Sequence, residues 1–266
     1  MPDRRTYEYS ERGMTVIGRV CELVRYPVKS MAGVTAESAY LGFHGIAGDR
    51  RFAFRRLADE SGFPFLTAGR FPELVTYRPI GRTDVSGEPL PTHVRTPSGS
   101  EMEVRGEELR DEISRRSGHA VELMMLRFGI FDDAPVSVIS LATIAAIGRE
   151  AGLEMDRRRM RANVVLETDR LDAFLEDDWV GGTLFFGEGP EAPAVSVTAR
   201  DERCAMVNFH PETGQQDPRV MKAVVRMNGN YAGVYATVVR AGSIHVGESV
   251  RLVRNLATTP VQSATS

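Results

Sequence analysis

Arg200-Asp201-Glu202-Arg203-Cys204-Ala205-Met206, followed by His210-Pro211-Glu212-Thr213-Gly214-Gln215-Gln216-Asp217-Pro218, is the stretch on which the reading of this chain turns. Cys204 stands behind four charged or acidic residues, not among the apolar neighbours of a core thiol. Thiolates bind soft metals and attack electrophiles, and a neighbouring arginine favours that form. Cys204 is therefore a candidate metal ligand or nucleophile. A small buried hydrophobe is the usual fate of a free cysteine, and the local sequence leaves both readings open.

Working outward, the stretch lies among short β-like runs. Ala194 to Thr198 precedes it, and Gly233 to Val239 and Ser243 to Leu252 follow, parted by an Arg-Ala-Gly-Ser turn. Asp217 with Pro218 marks a helix start, a cap before a proline in the first turn. Upstream, 135–139, 163–167 and 182–186 read as strands. Leu141 to about Glu150 reads as a helix with Ser140 as N-cap and Gly152 as its stop. A short helix is expected over 172–179. In the first half, 15–25, 36–41 and 51–57 read as strands, 81–100 as a hairpin or loop region, and Glu107 to Arg116 as a helix stopped by Gly118. Strands outnumber helices at short spacing, which favours barrels or sandwiches over a doubly wound sheet.

Composition narrows the class. The 266 residues are 42% hydrophobic and 26% charged, as in an ordinary globular protein. A net charge of −3 gives no electrostatic case for nucleic acid. No apolar run has the length of a membrane span, and the charged start, 1–13, lacks a signal-peptide core. Two cysteines make no disulfide framework, so a reducing cytoplasm is the expected compartment. Nor can they ligate an ordinary iron–sulfur cluster.

Walker, GxGxxG, HExxH, CxxC and GxSxG signatures are all missing. The five histidines, at 44, 93, 119, 210 and 245, show no ligand spacing, and most of them read as surface residues. The remaining candidates are polar groups at element ends. Lys29 and Ser30 close the first strand. Arg50 and Arg51 follow Leu41 to Asp49, a glycine-rich turn able to cradle anions. Ser140 and Thr143 open a helix, and Arg161 and Asn163 precede a strand. Each has an ordinary structural reading, but as a set they suit a small anionic ligand.

Tyr-Pro-Val-Lys-Ser (26–30) with Gly-Phe-His-Gly-Ile-Ala-Gly-Asp-Arg-Arg-Phe (42–52) resembles the β-barrel domain that precedes MOSC domains. Met-Arg-Ala-Asn-Val-Val-Leu (160–166), Glu-Arg-Cys-Ala-Met, His-Pro-Glu-Thr-Gly and the closing strands through Val250 resemble a MOSC domain itself, the domain shared by molybdenum cofactor sulfurases and amidoxime-reducing enzymes. The resemblance implies a mainly β fold with α+β elements. An N-terminal β-barrel domain (14–130) packs on a MOSC β-barrel domain (131–253), and 254–266 form a mobile tail.

It also implies the molybdenum cofactor (Mo-molybdopterin) as ligand, with Cys204 both on the metal and catalytic. Lys29, Ser30, Arg50, Ser140, Thr143, Arg161, Asn163 and Arg203 would contact the cofactor. The chain departs from the family pattern at Ala162, where proline is common, at Glu202, where a small residue is common, and at Met31. The implied activity is oxidoreduction of a small N-hydroxylated or N-oxide substrate, with electrons from a separate flavin, haem or ferredoxin-type partner. The alternatives are a molybdenum cofactor or persulfide carrier without redox turnover, and a barrel-shaped interaction module. No nucleic acid or membrane partner is expected.

Overall fold

The computed structural model describes residues 13–85 and 87–254. The charged start and all of the expected tail except Arg254 lie outside these residues, apart from Gly13. Strands hold 38% of the chain and helices 21%, and the main sheet is a closed seven-stranded barrel. Its strands run, in sheet order, Val164–Thr168, Val136–Ser140, Tyr231–Arg240, Ala194–Glu202, Thr183–Phe186, Ser249–Val253 and Met14–Arg25. The last pairs back onto the first, and Val34–Ala36 adds an outer strand. Only Val136–Ser140 and Val164–Thr168 run parallel. A parallel pair needs a crossover, and the helix Leu141–Ala151 lies in the connection.

The barrel draws on both sides of the division expected at 130. Met14–Arg25 hydrogen-bonds to Val164–Thr168 and to Ser249–Val253 and so closes the second half of the chain. Gly18 makes that closure possible. Its φ is 148°, and a Cβ there would lie 2.1 Å from the Glu167 carbonyl oxygen. The register against Ser249–Val253 slips just before it, as at a barrel corner where two backbones approach closely.

The expected single strand over 243–252 is two. Gly242–His245 leaves the barrel to pair with Ser38–Gly42, whereas Ser249–Val253 rejoins it. The break is a turn through Gly247, at φ 87°. Strand 36–41 is likewise broken at Glu37, and the expected helix over 172–179 is a 3-10 turn, Leu175–Trp179.

Alternating barrel residues meet inside. Val20, Leu23, Val138, Leu166, Val195, Val234 and Leu252 form one core with Trp179 from the 3-10 turn. Fully burying each such side chain is worth roughly 1.5–3 kcal/mol. A second core lies between the barrel wall and two helices, Leu141–Ala151 and Arg219–Asn228, through Ile144, Ile147, Val220 and Val224. The N-terminal unit has its own core of Val28, Met31, Phe52, Phe54, Leu74 and Tyr77. Short antiparallel ribbons and the helix Glu107–Ser117 cover it. That helix opens on Glu107 and Glu108, closes on Arg115 and Arg116, and stops at Gly118 with φ 71°, as its sequence predicts. No helix among the described residues is long and apolar enough to cross a membrane.

Candidate functional site

Where the N-terminal unit meets the barrel, a cavity of about 420 Å³ gathers Lys29, Ser30, Arg50, Arg161, Arg203 and Cys204 from four chain segments. Three of these six are strained in the same way. Ser30, Arg50 and Arg161 hold φ values of 66°, 48° and 50°, in the left-handed region that non-glycine residues rarely enter. Among the described residues, the other two non-glycine residues there are Phe174 and Asn230. Such strain costs about 1–3 kcal/mol per residue and persists where the surroundings over-determine it. Its concentration on one cavity makes this the candidate functional site.

The sequence builds the site through backbone ties. The Tyr26 N–H donates to Asp49 Oδ1 at 2.6 Å, the Arg50 N–H to the Tyr26 carbonyl, and the Lys29 N–H to the Phe52 carbonyl. These bonds lock the Lys-Ser loop against the glycine-rich turn. Gly48 lets the turn pack, because a Cβ there would sit 2.5 Å from the Pro89 carbonyl oxygen.

Tyr26 then serves as a platform. The Arg161 guanidinium lies 4.2 Å and that of Arg50 5.3 Å from its ring centre, within range of cation–π attraction. Burial pushes the Tyr26 hydroxyl up to about 12, so the ring stays neutral. Burial also pulls Arg161 down to about 10, which still leaves it cationic at neutral pH. Arg161 donates to the Met31 carbonyl oxygen at 2.7 Å. Burial opposes the charge of Arg50 too, but its ion pair with buried Asp49 holds its pKa above the ordinary value. Lys29 pairs with Asp132 at 3.1 Å and faces the ring of Phe63.

Cys204 is exposed and Cys21 partly buried, and both are free thiols. Arg203, beside Cys204, is buried and donates to the Ala232 and Met160 carbonyl oxygens at 2.7 Å each. Glu202 is exposed on the rim and accepts from the Asn230 amide at 3.2 Å. Met31, one of the departures in sequence, packs wholly into the N-terminal core.

The structure corrects three sequence expectations. Ser140 and Thr143 do cap their helix, but both are fully buried away from the cavity. The carboxylate of buried Glu176 fills that helix start, accepting from the Ser140 N–H at 2.6 Å and the Thr143 hydroxyl at 2.8 Å. An anion site exists there, and the chain's own glutamate occupies it. Asn163 does not line the cavity either. Its amide oxygen accepts from Ser137 and, at 3.4 Å, from Arg50, while its amide nitrogen donates to the Val24 carbonyl. It positions Arg50. Arg51, a neighbouring candidate, turns away to Glu88 and the Leu126 carbonyl.

Sequence reasoning missed Asp201, Tyr235 and Arg159, which also line the cavity. Asp201 stood in the opening stretch, but one sequence does not tell a buried acid from a solvated one. Behind Arg161 a second cavity of about 360 Å³ opens toward Arg78 and Arg158. Both of those arginines are committed to Glu212.

The YuaD protein of Bacillus subtilis is 14% identical, with 91% of this chain and 98% of that one aligned at a TM-score of 0.50. YiiM of Geobacillus stearothermophilus is 20% identical over 46% of this chain and 55% of its own, at a TM-score of 0.35. No curated protein matches the chain. Residues 17–126 match the MOSC N-terminal beta barrel domain and residues 117–251 the MOSC domain. With these two matches spanning both halves of the chain and the cavity between them, the protein belongs to the MOSC domain family.

Proposed function

We propose that this chain binds the molybdenum cofactor at Cys204 and reduces N-hydroxylated or N-oxide substrates with electrons from a separate partner protein. One observation carries the reading: an exposed thiol shares a single cavity with Lys29, Arg50 and Arg161, three cations from separate segments. A soft donor beside a cationic cradle matches a ligand that is a soft metal at one end and a phosphate at the other. Among the described residues, no group of three or more His, Cys, Asp and Glu could hold a metal ion. A metal on Cys204 must therefore bring its remaining ligands with it, as a dithiolene-bearing pterin does.

The residues fit that group. Cys204 would ligate its metal, Lys29, Arg50 and Arg161 would neutralise its phosphate, and Ser30 would add a hydroxyl. Arg203, buried in the wall and paired with Asp201 at 3.0 Å, sets a fixed positive charge beside Cys204. When bound, the cofactor supplies the two-electron chemistry. The chain's own part is to hold the anion, orient the substrate against Phe63, Phe209 and Tyr235, and keep the surrounding charges fixed. The proposed setting is a reducing cytoplasm, where both thiols stay free.

Exposure of Cys204 also suits a carrier that hands over the cofactor or a persulfide. Molybdenum analysis of chain expressed in a cofactor-competent host, followed by turnover with reduced viologen, decides between the readings. Stoichiometric molybdenum with viologen-driven reduction of a hydroxylamine or amidoxime, and no turnover with NADH alone, is expected. Molybdenum without turnover favours the carrier. Absence of molybdenum refutes the reductase and the cofactor carrier and leaves the persulfide carrier.

A further inference from the structure

Asp201 is the one buried carboxylate in the cavity wall, 2% exposed, and its position is set by a fault in the sheet. Ala194–Glu202 pairs with Tyr231–Arg240 in a register that slips between Arg200 and Glu202, where two residues of the partner strand, Ala232 and Gly233, stand opposite the single residue Asp201. A bulge of this kind re-aims a side chain and is frequent beside active sites. Here it puts the Asp201 carboxyl in the cavity wall, three residues before Cys204. The Tyr235 hydroxyl, from the neighbouring strand, donates to it. Arg203 Nη2 lies 3.0 Å away, fixed by its own two carbonyl bonds.

We propose that Asp201 and the Tyr235 hydroxyl form a proton-holding pair that delivers one of the protons consumed when the N–O bond of the substrate breaks. The proposal rests on the reductase reading above. Reduction of R–NH–OH takes two electrons from the partner and two protons, giving R–NH2 and water. The N–O bond breaks, and nitrogen keeps the electrons. The departing oxygen takes one proton from the Asp201 carboxyl, which is refilled from solvent past Tyr235, and the second proton comes from solvent.

The charges around Asp201 suit that task. Burial disfavours its ionised form most strongly, and Asp132 adds to this from the 131–133 loop. Arg203, the Tyr235 hydroxyl and Arg50 favour ionisation. Burial wins, and the carboxyl is pushed up to about 6. A group poised near the working pH is what general acid–base transfer requires.

Two measurements test the pair. In the cofactor-free chain, 13C NMR of labelled aspartate, assigned with Asp201→Asn, should show Asp201 titrating near pH 6. Tyr235→Phe should move that midpoint upward, because the lost hydrogen bond favoured the carboxylate. In the loaded protein, Asp201→Asn should lower viologen-driven kcat by about 10²–10⁴-fold, with molybdenum content and KM unchanged. Asp201→Glu should restore part of the rate. An Asp201 midpoint near 4, or wild-type kcat in Asp201→Asn, overturns the pair and leaves the reductase reading standing. A loaded wild type inert toward N-oxygenated substrates overturns the reductase reading, and the delivery step with it.

Discussion

Replacing Asp201 by Asn should stabilise the cofactor-free protein at neutral pH, by an amount that the structure fixes. Asp201 is almost wholly buried, and its carboxyl loses its proton at about 6 in place of the ordinary 3.8. Keeping it ionised in the folded chain therefore costs about 3 kcal/mol, at roughly 1.4 kcal/mol for each tenfold change in proton affinity. That figure already contains the attraction of Arg203, one of the groups that set the value. Between pH 4 and 6 the folded chain retains a proton that the unfolded chain has released. Stability accordingly falls as pH rises through this window and levels above it.

Asn has no proton to hold, and its amide oxygen can accept from Tyr235. The two proteins should be nearly equal at pH 4, and Asp201→Asn should be more stable by about 3 kcal/mol at pH 7. Urea unfolding at intervals from pH 4 to 8 measures the difference, in which other carboxylates cancel because they are common to both. An Asn variant that is less stable at pH 7, with a difference that does not change with pH, would falsify the argument. A carboxylate kept at such a cost in stability is what selection for activity leaves at a working site.

The other predictions separate ligand, cradle and scaffold. Cys204→Ala should lose molybdenum and viologen-driven activity while its unfolding transition stays put, whereas Cys21→Ala should keep both and lose at most about 1 kcal/mol of stability; metal analysis on the two variants suffices. Arg161→Ala removes a charge-assisted contact worth about 1.5–3 kcal/mol, so cofactor affinity should drop by roughly one to two decades with the fold intact, and an unchanged affinity would make Arg161 a packing residue only. Glu176→Ala strands the Ser140 N–H and the Thr143 hydroxyl in a dry core, which should cost about 2–5 kcal/mol; a loss below 1 kcal/mol would show that water takes the carboxylate's place.

What the sequence made legible follows from how local each signal is. The helix starting at Leu141 was readable because its cap, apolar face and terminal Gly152 are all written within the segment. The candidates Lys29, Arg50 and Arg161 were readable as charged residues at element ends, and the cavity brings all three together. Ser140 and Thr143 offered the same local evidence and misled, because the group that satisfies them, Glu176, is more than thirty positions away. Tertiary partners carry no local trace. Asp201 was hidden for a related reason: its burial depends on a bulge set by strand pairing, not by its neighbours in sequence.

The split of 243–252 and the recruitment of Met14–Arg25 into the later barrel show the same limit on a larger scale, and they bear on function. Lys29 and Ser30 follow directly from the strand that closes the barrel. Arg161 directly precedes the strand it pairs with. The Val24 N–H donates to the Asn163 carbonyl at 2.8 Å, and the Asn163 amide returns a bond to the Val24 carbonyl at 3.1 Å. The register of this one pairing therefore sets where Lys29 stands relative to Arg161. That register slips between Val20 and Glu22, with Cys21 as the inserted residue. Side chains alternate across a strand, so a change of one residue would exchange its inward and outward faces. Leu23 and Val24, opposite Val164 and beside Asn163, hold their places because Cys21 is counted out of the ladder. The second cysteine does no chemistry at the cavity. It is part of what brings the two halves of the cationic cradle to the same place.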